Sequence, residues 1–172
     1  MGKVLVVSYS YTGTSRQVAT TLAGLQGWAT GEISEERPGR GDGRCVLDSL
    51  LRRQPPIRYE GPPPEQFAAV VLVAPIWLYR LAGPMRTFVA RYRERLPAVA
   101  VVSAMGGRGA PNAVAEIGRL LGRSPILSTA FLSREVEDGS YGSRLRAFGE
   151  AVDKAVEGTE VLRPSTLSPK TA

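Results

Sequence analysis

The chain has 172 residues, 43% of them hydrophobic, with one cysteine and no histidine, which predicts one globular domain with a sizeable core. The missing histidine excludes Ser-His and Cys-His nucleophile pairs, histidine general bases and most transition-metal sites, so any chemistry is expected to be carried by a cofactor. The formal net charge is +6 and the 22 basic residues are spread along the chain, the pattern of a solvated surface with some attraction for anionic ligands or an acidic partner.

No apolar run reaches the roughly 18 residues of a membrane span, and the N-terminus lacks the basic, apolar and small-residue succession of a signal peptide. A soluble cytoplasmic protein is expected, without a membrane or nucleic-acid partner. Cys45 has no second cysteine to pair with, in keeping with a reducing compartment.

In chain order, Lys3 to Ser8 is a short β-branched run suited to a strand buried on both faces, and Ser15 to Leu25 carries apolar residues at helical spacing. A weaker strand is predicted around Trp28 to Ile33, followed by the exposed loop "SEERPGRGDGR" and a helix over Cys45 to Arg53. "QPPIRYEGPPPEQF" reads as an irregular, extended surface connection. "AAVVLVAP", Ala68 to Pro75, is the clearest buried strand, and a helix begins near Pro84, where proline suits the first turn.

Ala98 to Ser103 repeats the strand pattern, "AMGGRGAP" forms a glycine-rich turn, and Asn112 to Leu121 is helical up to a cap at Gly122. Pro125 to Leu132 is a fifth strand, and Gly139 to Gly158 supplies the last helix. The domain is expected over residues 1–162, with 163–172 a polar tail.

Five strands separated by helical stretches imply right-handed crossovers and a doubly wound α/β fold around a five-stranded parallel sheet. In such sheets ligands bind outside the C-terminal strand ends, where strand order reverses. Three loops therefore matter: Ser8 to Ser15, Pro75 to Gly83, and Ala104 to Pro111.

The first loop is built for a phosphate. The hydroxyls of Ser10, Thr12, Thr14 and Ser15 can donate hydrogen bonds, Gly13 permits close backbone approach, and the next helix aims its free N–H groups at the same point. The helix end contributes only about 0.3 to 1 kcal/mol by its dipole, so directed hydrogen bonds must supply most of the affinity. A turn that merely caps the helix would need one hydroxyl, not four. A nucleotide P-loop (G-x-x-x-x-G-K-[ST]) and a dinucleotide fingerprint (G-x-G-x-x-G) are both missing.

"SYTGTS", Ser10 to Ser15, resembles the S/T-x-T-G-x-T phosphate loop of the flavodoxin-like flavoproteins, with Ser15 where threonine is usual. The resemblance covers roughly Lys3 to Ala155 and implies strand order 2-1-3-4-5 and non-covalent FMN. It implies that Tyr11 and the loop hydroxyls and amides surround the FMN phosphate. It also implies that "PIWLY", Pro75, Ile76, Trp77, Leu78 and Tyr79, lies along the isoalloxazine ring. Trp77 or Tyr79 is the candidate for the ring contact, and the resemblance further implies that the backbone of Ala104, Met105, Gly106 and Gly107 meets the flavin's far side.

Either aromatic could equally cover the sheet end. Arg80 and Arg108 are read as solvated loop residues, Cys45 as inert, and Asp42, Asp48 and Glu65 as lacking metal-site spacing. No side chain is assigned a catalytic role.

Three functions stay open on this reading. The first is electron transfer through FMN to a redox partner protein. The second is an NAD(P)H-dependent, FMN-containing reductase of quinones or other small acceptors, working as a homodimer. The third is a protein-interaction scaffold with a secondary flavin site. Carriers of the resembling family tend to be acidic, and this basic chain leans toward the reductase.

Overall fold

The computed structural model describes residues 2–36, 51, 54–77 and 79–161. Most of the expected helix over Cys45 to Arg53, and the polar tail, lie outside the described residues.

Strand β1 (Gly2–Tyr9) leads into helix α1 (Thr14–Gln26) and strand β2 (Ala29–Glu35). Strands β3 (Ile57–Glu60), β4 (Phe67–Trp77) and β5 (Arg80–Leu81) follow. Helix α2 (Gly83–Tyr92), strand β6 (Ala98–Met105), helix α3 (Ala110–Leu121) and strand β7 (Leu127–Leu132) come next. A short helix α4 (Ser133–Glu137) and a long α5 (Gly142–Val161) complete the described chain.

The sheet runs β3-β2-β1-β4-β6-β7, with β5 paired to β4. This corrects the expectation of five strands: the described residues form seven, and the sheet is mixed, because β3 and β5 are antiparallel to their neighbours. The remaining strands, β2-β1-β4-β6-β7, pair in parallel.

Both additions come from segments that looked like loops. β3 lies in the proline-rich stretch, which is therefore not irregular throughout. Its four residues lie between prolines and occupy an edge, where flanking prolines remove no ladder bond the sheet needs. Helix α2 ties this stretch down, Thr87 donating to the Pro55 carbonyl at 2.8 Å and Arg91 to the Ile57 carbonyl at 3.2 Å. The last helix also starts later than its pattern suggested: Gly139 has a φ of 79°, and the chain turns there before α5 begins at Gly142.

Alternation along the central strands divides the core. Val4, Val6, Val71, Val73, Ala100 and Val102 face α1 and α5, meeting Val18, Leu22, Leu145 and Val152. Leu5, Val7, Val70, Leu72, Val99 and Val101 face α2 and α3, meeting Met85, Phe88, Ala113 and Ile117. Both faces of the central strands β1, β4 and β6 are thus dry, which is why these strands read as continuous apolar runs. The chain leaves β1 toward α1 on one face and β4 toward α2 on the other, so the crevice where strand order reverses lies at the C-terminal ends of β1 and β4.

One consequence concerns Tyr59 of β3. Its hydroxyl donates to the Pro62 carbonyl at 2.8 Å and its ring meets Phe88 and Tyr92. Burial, with smaller contributions from Tyr92 and Glu65, pushes its phenol up to about 12. An unfolded tyrosine titrates near pH 10, so between pH 10 and 12 the unfolded chain releases a proton that the native chain holds. The stability this group contributes is therefore complete below pH 10 and lost as pH rises toward 12. Tyr59→Phe is expected to abolish that alkaline loss while costing about 1 kcal/mol at pH 8, as urea midpoints at pH 8 and 11 would show.

Candidate functional site

The loop at the tip of β1 is organised around Gly13. Its φ of 100° lies in the region that favours glycine, and it is the N-cap of α1 without any side-chain cap. Its N–H donates to Ser10 Oγ at 3.0 Å, while its carbonyl accepts the N–H of Gln17 at 2.9 Å, which opens the helical ladder. The N–H groups of Thr14, Ser15 and Arg16 precede that ladder and point out of the helix start.

The hydroxyls of this loop therefore do not cap the helix. Ser15 decides the matter: it is 1% exposed, and its Oγ has no hydrogen-bond partner among the described residues. Arg16 is turned away, its Nε donating to Glu32 Oε1 at 2.8 Å, so the nest is made of neutral donors.

Ser10, Tyr11, Thr12, Thr14 and Ser15 form one wall of a hollow of about 70 Å³. Pro75, Ile76 and Trp77 form the second wall, and Ala104, Met105 and Gly106 the third. Of the predicted residues, Gly13, Tyr79 and Gly107 do not line the hollow, and Leu78 lies outside the described residues. Ser133, the first residue of α4 just past the end of β7, lines it as well. That position obeys the same strand-end rule, at the fifth parallel strand. Its Oγ lies 3.4 Å from the Met105 carbonyl, to which it donates.

The second wall is a hairpin rather than a loop. β1 pairs with β4 only as far as Ser8 and Val73. Beyond that point β4 continues beside β6 through Ile76 and Met105, and β5 pairs with it through Ile76–Leu81 and Trp77–Arg80. Trp77 is held edge-on between two tyrosines, its ring 6.2 Å from that of Tyr9 and 5.7 Å from that of Tyr11.

Tyr11 is 43% exposed and Tyr79 54% exposed. Tyr79 has a φ of 64°, rare for a side chain of its size. The structure thus distinguishes the two aromatic candidates: Trp77 faces the hollow, while Tyr79 stands at the rim with its backbone against Gly109.

The chemistry on offer is recognition. The lining's polar side chains are the hydroxyls of Ser10, Tyr11, Thr12, Thr14, Ser15 and Ser133 and the Trp77 indole N–H, and the described residues contain no cluster of three or more potential metal ligands. A volume of about 70 Å³ suits a phosphate-sized group; whole small-molecule sites measure about 300 to 1,000 Å³, so the rest of a larger ligand must lie across the rim beside Trp77. Larger concavities of about 490 Å³ beside α3 and about 550 Å³ between α1 and β2 have no unpartnered buried polar group in their linings. No helix among the described residues is long and apolar enough to cross a membrane.

No family model matches the sequence, and no curated protein matches it significantly. Solved structures do match the fold. A flavoprotein from Lactobacillus acidophilus NCFM, in complex with FMN, superposes with a TM-score of 0.67 at 17% identity, covering 81% of this chain and 99% of that one. A flavone reductase gives 0.60 at 15%, covering 94% and 65%. A flavodoxin from Streptococcus pneumonia TIGR4 gives 0.55 at 17%, covering 88% and 98%. With its parallel β2-β1-β4-β6-β7 core, helices on both faces and a hydroxyl-rich loop at the first strand end, the chain has the flavodoxin-like fold.

Proposed function

We propose that this chain binds FMN non-covalently at the hollow between β1, β4 and β6 and passes electrons through it, residues 1–162 forming the binding unit. The observation that carries this reading is the Ser15 hydroxyl, buried and unpartnered at the start of α1. A buried polar group without a partner costs about 1–3 kcal/mol, and a phosphate oxygen is the acceptor it fits. Ser10, Thr12 and Thr14 supply further hydroxyl donors, and the free N–H groups of α1 supply backbone donors.

Trp77 offers a flat apolar wall for the ring. The backbone of Ala104, Met105 and Gly106 offers donors and acceptors for its polar edge. Bound FMN supplies one- and two-electron redox chemistry, and the protein's own part is to anchor, orient and shield it. The same cofactor bound in the flavoprotein of similar fold supports the reading. Titrating FMN with the purified chain tests it: flavin fluorescence should be quenched saturably at one equivalent, and unchanged fluorescence would contradict the assignment.

The second reading is a reductase that takes electrons from NAD(P)H, and the net charge of +6 favours it. A basic surface attracts an anionic nicotinamide nucleotide and offers no complement to a basic partner enzyme. Single-turnover mixing of the FMN-loaded protein with NADPH or NADH separates the two. Fast bleaching of the flavin, followed by reoxidation with a quinone, is the enzyme's result. Flavin that stays oxidised under excess nicotinamide is the carrier's.

A further inference from the structure

Beneath the rim lies a charged pair that takes no part in the hollow itself. Arg86, in the first turn of α2, is 2% exposed, and Glu116, midway along α3, is 6% exposed. Arg86 Nε donates to Glu116 Oε1 at 2.5 Å and its Nη2 donates to the Leu81 carbonyl at 2.9 Å. Leu81 is the β5 residue paired with Ile76, which lines the hollow. The guanidinium therefore fastens the aromatic hairpin to the helix that follows the glycine-rich loop.

A second contact fastens the same two segments at the rim. Gly109, with φ 121°, immediately precedes α3 and packs so closely on the hairpin that a Cβ there would lie 2.7 Å from Tyr79 Cα and 3.2 Å from Ile76 Cγ2. Two walls of the hollow are thus joined above by backbone contact and below by a buried ion pair. Such a pair loses much of its Coulombic gain to desolvation, and apolar residues would hold two helices together as well. What apolar residues could not do is bind the Leu81 carbonyl.

We propose that Arg86 is a positioning residue of the flavin site, which, oriented by Glu116, sets the separation between the Trp77 hairpin and the Ala104–Gly109 loop and so the width open to the planar ring. The proposal rests on the reading of the hollow as an FMN site. It predicts an effect on the ring and none on the phosphate.

The test compares wild type with Arg86→Lys, which keeps the charge but cannot hold both acceptors in the same fork, and with the double variant Arg86→Met/Glu116→Met, which replaces the pair by apolar bulk. FMN, riboflavin and inorganic phosphate are titrated into each by calorimetry, with folding checked by circular dichroism. In both variants the Kd of FMN and of riboflavin should rise by the same factor, on the order of tenfold, with inorganic phosphate affinity within about twofold of wild type.

Folded variants that hold FMN as wild type does would overturn the proposal, as would equal losses of FMN and inorganic phosphate. Failure of both variants to fold would assign the pair to stability alone and overturn it too. Wild-type protein that takes up no FMN would instead sink the reading of the site on which the proposal stands.

Discussion

Replacing Ser15 with alanine is expected to move two properties in opposite directions. The ligand-free protein should become more stable by about 1 kcal/mol, because the substitution removes a hydroxyl that is buried without a partner. FMN affinity should fall, because a charge-assisted hydrogen bond to the phosphate, worth about 1.5–3 kcal/mol, is lost. Adding Thr12→Ala should bring the loss to about 3 kcal/mol or more, a Kd on the order of 10²-fold higher, while riboflavin, which has no phosphate, changes by no more than a few fold. Urea unfolding of the ligand-free variants and fluorescence titration with both flavins check the two halves. A hydroxyl serving only the fold would lower stability and spare the ligand; equal losses for FMN and riboflavin would remove the phosphate from the account.

Gly109→Ala should be the most damaging single change near the site. The backbone there has φ 121°, which an alanine adopts only under strain, and the added Cβ meets the Tyr79 Cα at 2.7 Å. Backbone cannot swing aside as a flexible side chain can, so either the hairpin or the start of α3 must move. A destabilisation of about 3 kcal/mol is expected, with weaker binding of FMN and riboflavin alike. Gly106→Ala is the matched control: its Cβ would meet nothing within 4 Å and its φ is not positive, so its unfolding free energy from urea titration should change by no more than about 0.5 kcal/mol. Similar midpoints for the two variants would show that the contact between Gly109 and Tyr79 does not constrain the site.

What the sequence made legible was whatever local pattern determines. The apolar runs of β1, β4 and β6 could only be strands buried on both faces. The four hydroxyls around Gly13 pointed to more than a helix cap, which uses one of them, and the structure leaves α1 without a side-chain cap. Pro84 and Gly122 punctuated α2 and α3 where the structure has their ends. Less legible was whatever depends on distant partners. Ile57–Glu60 is a strand only because β2 offers it an edge, and Arg80–Leu81 only because β4 runs on past the end of β1.

Arg86 and Glu116 are thirty residues apart in the chain, and each would be taken for a solvated face of its own helix. Only the packing of α2 on α3 buries them together. Ser133 obeys the strand-end rule, but its segment carries neither the hydroxyl cluster around a glycine nor the aromatic or glycine-rich pattern of the other three loops. The choice of Trp77 over Tyr79 as the residue facing the hollow required the turn geometry at Tyr79, whose φ of 64° no residue pattern announced.

The visible spectrum and calorimetry of the natively purified protein address the central claim most directly. The account predicts yellow material that releases one equivalent of FMN per chain on denaturation, or a colourless chain that takes up one equivalent with measurable heat and a shifted flavin band. A folded chain that stays colourless and gives no heat with FMN would contradict it.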